Sequence, residues 1–118
     1  MTTVELTADN FAATVKSSPT VLIDFRAEWC GPCKQFGPVY DQVSESNPDI
    51  VFGKVDTDAQ QGLARSFNIS AIPTLVAIRD GIVLHSQPGA LNKAALENLI
   101  RAISEVDMNV VRASQQQT

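Results

Sequence analysis

The chain has 118 residues, of which 44% are hydrophobic and 19% charged, with a net charge of −4. That length describes one domain with room for its own core, expected over residues 1–110 with a polar tail at 111–118, and the apolar share excludes a disordered chain. No apolar run approaches the ~18 residues of a membrane helix, the first ten residues lack the basic and apolar stretches of a secretory signal, and no basic face offers itself to nucleic acid.

A β-like stretch, Thr3 to Leu6, comes first. Thr7 is placed to cap a helix running to about Lys16 that buries Phe11, Ala12 and Val15, and Ser17-Ser18-Pro19 ends it. Val21-Leu22-Ile23-Asp24-Phe25 reads as a strand covered on both faces. A second helix starts near Cys30-Gly31-Pro32-Cys33 and runs to about Ser46. Pro32 suits its first turn, where a missing N–H costs nothing, and Pro38 is expected to kink it. Ile50 to Asp56 reads as a strand and Ala59 to Phe67 as a short helix. Thr74 to Ile78 and Ile82 to Ser86 read as strands joined by an Asp80-Gly81 type I′ turn. Asn92 is placed to cap a last helix with Ala95, Leu96, Leu99, Ile100, Ile103 and Val106 on one face. Ser114 to Thr118 reads as a frayed tail. The early alternation argues a parallel portion and the late hairpin an antiparallel edge: a mixed sheet with helices on both faces.

The chemistry concentrates at Cys30 and Cys33, separated by Gly31 and Pro32, too close to staple distant parts of a fold. With no secretory signal in view, the expected compartment is reducing, where paired cysteines are more often catalytic or metal-binding than structural. At i and i+3 on a helix the two share a face, a spacing that allows a disulfide. Cys30 would stand at the helix N-terminus, where unpaired N–H groups and the dipole favour a thiolate, the attacking species in disulfide exchange. Cys33, deeper, could resolve the mixed disulfide that results. A structural zinc site needs four ligands as a rule. This chain offers the two cysteines and His85, the latter on an expected edge strand, so a metal or iron–sulfur site would have to bridge two chains. His85 reads as a surface or packing residue.

Two charged residues stand inside apolar strands. Asp24 is either a solvent-facing strand-end residue or a buried carboxyl with a raised pKa, a proton acceptor and donor for Cys33. Lys54 either snorkels to the surface or sets its ammonium near Asp24 and tunes it. For Ile72-Pro73, sequence alone favours a trans bond.

Trp29-Cys30-Gly31-Pro32-Cys33-Lys34 resembles the active-site segment of the thioredoxin family, bacterial type. The likeness extends through Val21–Phe25, Ala27-Glu28, Lys54, Asp58, Ile72-Pro73-Thr74-Leu75, Asp80-Gly81 and Gly89-Ala90, about residues 3 to 106. It implies the thioredoxin fold, an α/β mixed sheet of about five strands flanked by about four helices. It implies a protein-disulfide reductase working by dithiol–disulfide exchange, with Cys30 as nucleophile and Cys33 as resolving thiol. Asp24 would be the family's buried aspartate, with Lys54 beside it. The Ile72–Pro73 bond would be cis and lie against the disulfide. Trp29, Gly31, Pro32, Ile72, Pro73, Gly89 and Ala90 would form the substrate-binding rim. The resemblance further implies no bound cofactor and no metal, and electrons from NADPH through a flavoprotein thioredoxin reductase. It implies disulfide-containing protein substrates and a cytoplasmic monomer with no nucleic-acid or membrane partner. Three positions depart from the family's habit: Arg26 where tryptophan is frequent, Gln35 where methionine is frequent, and Pro88 before Gly89. Arg26 is expected to reach toward Cys30 and favour its thiolate, or to pair with Glu28 or another nearby acid and lose most of its field. The other functional readings are a thioredoxin-fold binding or assembly subunit and a metal or iron–sulfur carrier through the CxxC.

Overall fold

A computed structural model describes residues 2–116. The elements follow in the order β1 (Thr3–Glu5), α1 (Phe11–Ser17), β2 (Thr20–Arg26), α2 (Gly31–Glu45), β3 (Val51–Asp56), α3 (Gln61–Ser66), β4 (Thr74–Arg79), β5 (Ile82–Pro88), α4 (Lys93–Glu105) and α5 (Met108–Gln116). The strands form one sheet in the order β1-β3-β2-β4-β5. β3 runs parallel to β1 and β2, while β4 is antiparallel to both β2 and β5. The expected mixed sheet is therefore present, with the parallel portion from the early alternation and the antiparallel edge from the late hairpin. Asp80 and Gly81 turn that hairpin at φ 53° and 78°, the left-handed pair a type I′ turn requires.

Because side chains alternate across a strand, β2 feeds two cores. Val21, Ile23 and Phe25 join Leu6, Val55, Val76 and Ile78 on one face, where Phe11, Val15, Leu63 and Phe67 cover them. Leu22 joins Phe52, Leu75 and Ala77 on the other, under Phe36, Tyr40 and Val43 of α2 and Leu96, Ile100 and Ile103 of α4. Asp24 has the parity of Leu22 and so faces α2.

Three expectations give way. Thr7 does not cap α1: the segment Thr7–Asn10 forms its own turn, in which the Thr7 N–H donates to Asn10 Oδ1 at 2.8 Å, and the helix begins at Phe11. Ala12 faces solvent, while Phe11 and Val15 are partly buried. Residues 108–116 form a fifth helix instead of a tail. Asp107 starts it, its carboxylate accepting the Asn109 N–H at 2.9 Å, and Met108 is buried. Thr118 and Gln117, the end of the expected tail, lie outside the described residues. Pro38 stands inside α2 (Gly31–Glu45), where the sequence placed it.

Candidate active site

β2 ends at Arg26, and a short connection through Ala27, Glu28 and Trp29 leads to Cys30, the residue capping α2. Sites at the carboxyl ends of such strands are the rule in α/β sheets. Cys30 has extended backbone geometry, and its Sγ accepts the Cys33 N–H at 3.2 Å, as a capping side chain does. Pro32 falls in the first turn, where no N–H is missed. Cys30 and Cys33 are joined as a disulfide across Cα atoms 5.2 Å apart. The expected contrast in depth is absent: each cysteine is 4% exposed. What separates them is their surroundings.

Cys30 Sγ lies 3.8 Å from the Ile72 carbonyl oxygen. The Ile72–Pro73 bond is cis, as the family resemblance implied and sequence alone did not. Ala27 and Ile72 complete the apolar packing around the two sulfurs. The Gly89 N–H donates to the Pro73 carbonyl at 2.8 Å, which brings Gly89 and Ala90 to the same end of the sheet. Gly89 has φ 104°, a conformation that favours glycine. Trp29 is 69% exposed, and its indole N–H donates to Asp58 Oδ2 at 2.8 Å. Gly31, Pro32 and Ala90 are exposed as well. The expected rim residues thus share one end of the molecule.

On the sheet face covered by α2 the environment is different. Asp24 is fully buried, and neither carboxylate oxygen has a hydrogen-bond partner among the described residues. Burial pushes its pKa from 3.8 up to about 7, against the opposing pull of Lys54 and Arg26; Asp41 and Glu5 add to the rise. Lys54 is the register partner of Asp24 across β2 and β3. Its ammonium sits 2.9 Å from Asp41 Oδ1, partly buried, so Lys54 does stand where it acts on Asp24 but is held by a third residue. Tyr40 donates to the Gly53 carbonyl at 2.8 Å. Its burial, with the Asp24 and Asp41 carboxylates adding to it, pushes its hydroxyl well above the usual range. Arg26 lines a groove of about 460 Å³ together with Cys33, Lys34, Asp41 and Lys54. Cys30 is not on that wall, and Arg26 makes no ion pair with Glu28 or another acid among the described residues, so the expected pairing is absent. His85 Nε2 pairs with Gln87 Oε1 at 2.8 Å along β5.

Asp41 is the site residue that the sequence reading missed. A signal existed: it lies eight positions beyond Cys33 on α2, about 80° round the helix, an acid bordering the buried face that carries Cys33, Phe36 and Tyr40.

The thioredoxin family's sequence profile matches residues 2–102. The chain is 58% identical over 110 residues to a Streptomyces coelicolor protein carrying the name thioredoxin 2, covering 93% of this chain and 82% of that one. It is 38% identical over 110 residues to a bifunctional thioredoxin reductase/thioredoxin of Mycobacterium leprae, covering 92% of this chain and 23% of that one. Among solved structures, the oxidized mitochondrial thioredoxin 3 of Saccharomyces cerevisiae superposes with a TM-score of 0.78 at 35% identity, over 85% of this chain and 94% of that one. Among the described residues no helix is long and apolar enough to cross a membrane. With a redox-active CxxC at the head of α2 in this fold, the chain belongs to the thioredoxin family and is a thiol–disulfide oxidoreductase of the protein-disulfide reductase type.

Proposed function

We propose that Cys30 attacks and Cys33 resolves. The supporting observation is the cap geometry, in which the Cys33 N–H points at Cys30 Sγ. In the reduced protein the same N–H and the helix N-terminus favour a Cys30 thiolate. That thiolate attacks one sulfur of a substrate disulfide; the Cys30–substrate bond forms and the other substrate sulfur leaves as a thiolate. Cys33 then gives its proton to the Asp24 carboxylate and attacks Cys30 Sγ. The Cys30–Cys33 bond forms, and the second substrate sulfur departs with the electron pair. The protein dithiol has lost two electrons and the substrate disulfide has gained them; the two thiol protons balance the two substrate thiols. Lys54 keeps Asp24 ionisable, and Asp41 holds Lys54. The exposed face of Trp29, the flanking Gly31 and Pro32, and the Ile72-Pro73 and Gly89-Ala90 segments receive the substrate chain.

The disulfide is returned to the dithiol by a flavoprotein thioredoxin reductase drawing on NADPH, with no cofactor resident on this chain. The reductase/thioredoxin fusion of Mycobacterium leprae supports that pairing. The working state is a cytoplasmic monomer that acts on disulfide-containing proteins.

Trapping tests the order of attack. Cys30→Ser abolishes exchange with a protein disulfide, lowering the rate by at least ~100-fold. Cys33→Ser accumulates a mixed disulfide through Cys30, seen as an intact-mass increase that dithiothreitol reverses. A mixed disulfide found on Cys33 in the Cys30→Ser protein, at a comparable rate, reverses the assignment.

A further inference from the structure

We propose that Arg26 is a positioning residue for the proton step at Cys33: from the groove beside that thiol, its guanidinium holds the Asp24 carboxyl in the proton-accepting form. The proposal rests on the reading of Asp24 as proton acceptor given above and assigns it a second cation.

Asp24 and Arg26 stand two apart on β2, so they leave the sheet on the same face, toward α2. The groove that Arg26 lines is bounded by Cys33, Asp41 and Lys54. The charges around Asp24 come from each neighbouring element. Lys54 faces it from β3, Asp41 and the protonated Tyr40 from α2, Glu5 from β1, and Arg26 from its own strand. β4 contributes only apolar Leu75 as its register partner. The two cations are not equivalent. The Lys54 ammonium is 2.9 Å from Asp41, so its pull on Asp24, the stronger of the two, is offset in part by its own partner. Arg26 has no ion pair and no side-chain hydrogen bond among the described residues. Its register partner on β3, Asp56, turns its Oδ1 to the Asp58 and Ala59 N–H groups instead. Glu28 and Lys34 line the same groove, but no carboxylate pairs directly with Arg26 among the described residues, so no partner at contact distance offsets its field at Asp24. Burial alone favours a neutral acid, useless for taking a proton at neutral pH; a cation in the groove restores part of the ionised population.

The test separates the two thiol steps. Reduced protein is mixed with an excess of a chromogenic aryl disulfide. Attack by Cys30 releases the first coloured thiolate in a second-order phase, and attack by Cys33 releases the second in a first-order phase. The first-order rate is followed against pH in the wild type, Arg26→Gln, Arg26→Lys, Asp24→Asn and the Arg26→Gln/Asp24→Asn double variant. The proposal expects Arg26→Gln to move the first-order profile to higher pH, with the rate at neutral pH falling about two- to threefold. It expects Arg26→Lys to keep the wild-type profile and Arg26→Gln to add nothing in the Asp24→Asn background. If Asp24→Asn slows the step but Arg26→Gln leaves the profile unmoved, or shifts only the second-order phase, the proposal fails and the reading of Asp24 survives. If Asp24→Asn itself leaves the first-order profile unchanged, both fail. An equal loss in Arg26→Gln and Arg26→Lys assigns the effect to packing and overturns the charge argument.

Discussion

Asp24 was visible in the sequence because a carboxylate inside an apolar strand is an anomaly at a single position, and the two cysteines were visible because their spacing is local. The partners of these residues were not. Lys54 meets Asp41 and Trp29 meets Asp58 only after separate elements have docked, and no local pattern announces such a meeting. The position of Arg26 shows the same limit. Four residues before Cys30 in sequence, it stands on the wall of the Cys33 groove in space. The energetic consequence at Asp24 can be measured directly. Below about pH 3.8 the folded and unfolded chains both hold the proton, and burial of the neutral acid adds no pH-dependent penalty. Between 3.8 and about 7 the unfolded chain ionises while the folded chain does not, so stability falls as pH rises; above about 7 the penalty is constant. A rise of that size corresponds to on the order of 4 kcal/mol. An Asn amide at the same place is also unpaired and shares the cost of burying the neutral acid. Asp24→Asn is therefore expected to match the wild type near pH 4, where both side chains are neutral and unpaired, and to exceed it by on the order of 4 kcal/mol near pH 8, read from denaturant midpoints at the two pH values. A constant difference across that range refutes the buried, pH-dependent penalty.

The helix and strand order was legible because apolar periodicity and turn residues are short-range signals; the ends of the elements were less so, because caps are chosen by tertiary fit. Asn92 is the simple case: its Oδ1 accepts the Ala95 N–H at 2.8 Å and α4 starts where the sequence placed it. Thr7 is the opposite case. It is a good capping type, but Asn10 hydrogen-bonds back to the Thr7 N–H and the Glu5 carbonyl, and that turn delays the helix. The end of α4 was beyond local reading altogether. Its last turn contains no basic residue, so nothing in its own sequence answers the orphan carbonyls and negative dipole end. The cation comes from β4. Arg79 Nη1 lies 3.0 Å from the Ile103 carbonyl, 3.3 Å from that of Ser104 and 2.8 Å from that of Val106, so its protons are shared among them. Arg79→Met keeps the aliphatic stem and removes the donor. It is expected to cost about 1–2 kcal/mol of stability while leaving the exchange rate at the wild-type value, since Arg79 ends β4 and the Pro73 segment precedes its start. Thermal melts paired with the disulfide-exchange assay check both halves.

The molecule as a whole divides along the strand direction. One end carries the cap of α2, the cis peptide and the Gly89 turn. The other carries the Asp80-Gly81 hairpin, the end of α4 and the whole of α5. Sequence reading stopped short of α5 because its apolar signal is small: Met108 and Val111 at i and i+3, followed by polar residues. It is nevertheless tied into the fold. Met108 is buried, and Arg112 reaches back to Asp80 at 3.0 Å. That ion pair is nearly half exposed on both sides and contributes ~0–1 kcal/mol; burial of the methionine contributes the larger share, ~2 kcal/mol. Val110 is 63% exposed and contributes little to this docking. Deleting residues 108–118 is therefore expected to lower the folding free energy by about 2 kcal/mol, and a Met108→Ala substitution alone to reproduce most of that loss. Arg112→Ala should cost less than either. None of the three variants should alter the rate of disulfide exchange, because none touches the end of the sheet where the cysteines stand. Denaturant midpoints give the first comparison and turnover of a protein disulfide the second. If the deletion slows turnover while the chain keeps its stability, α5 acts on the partner protein and not on the fold.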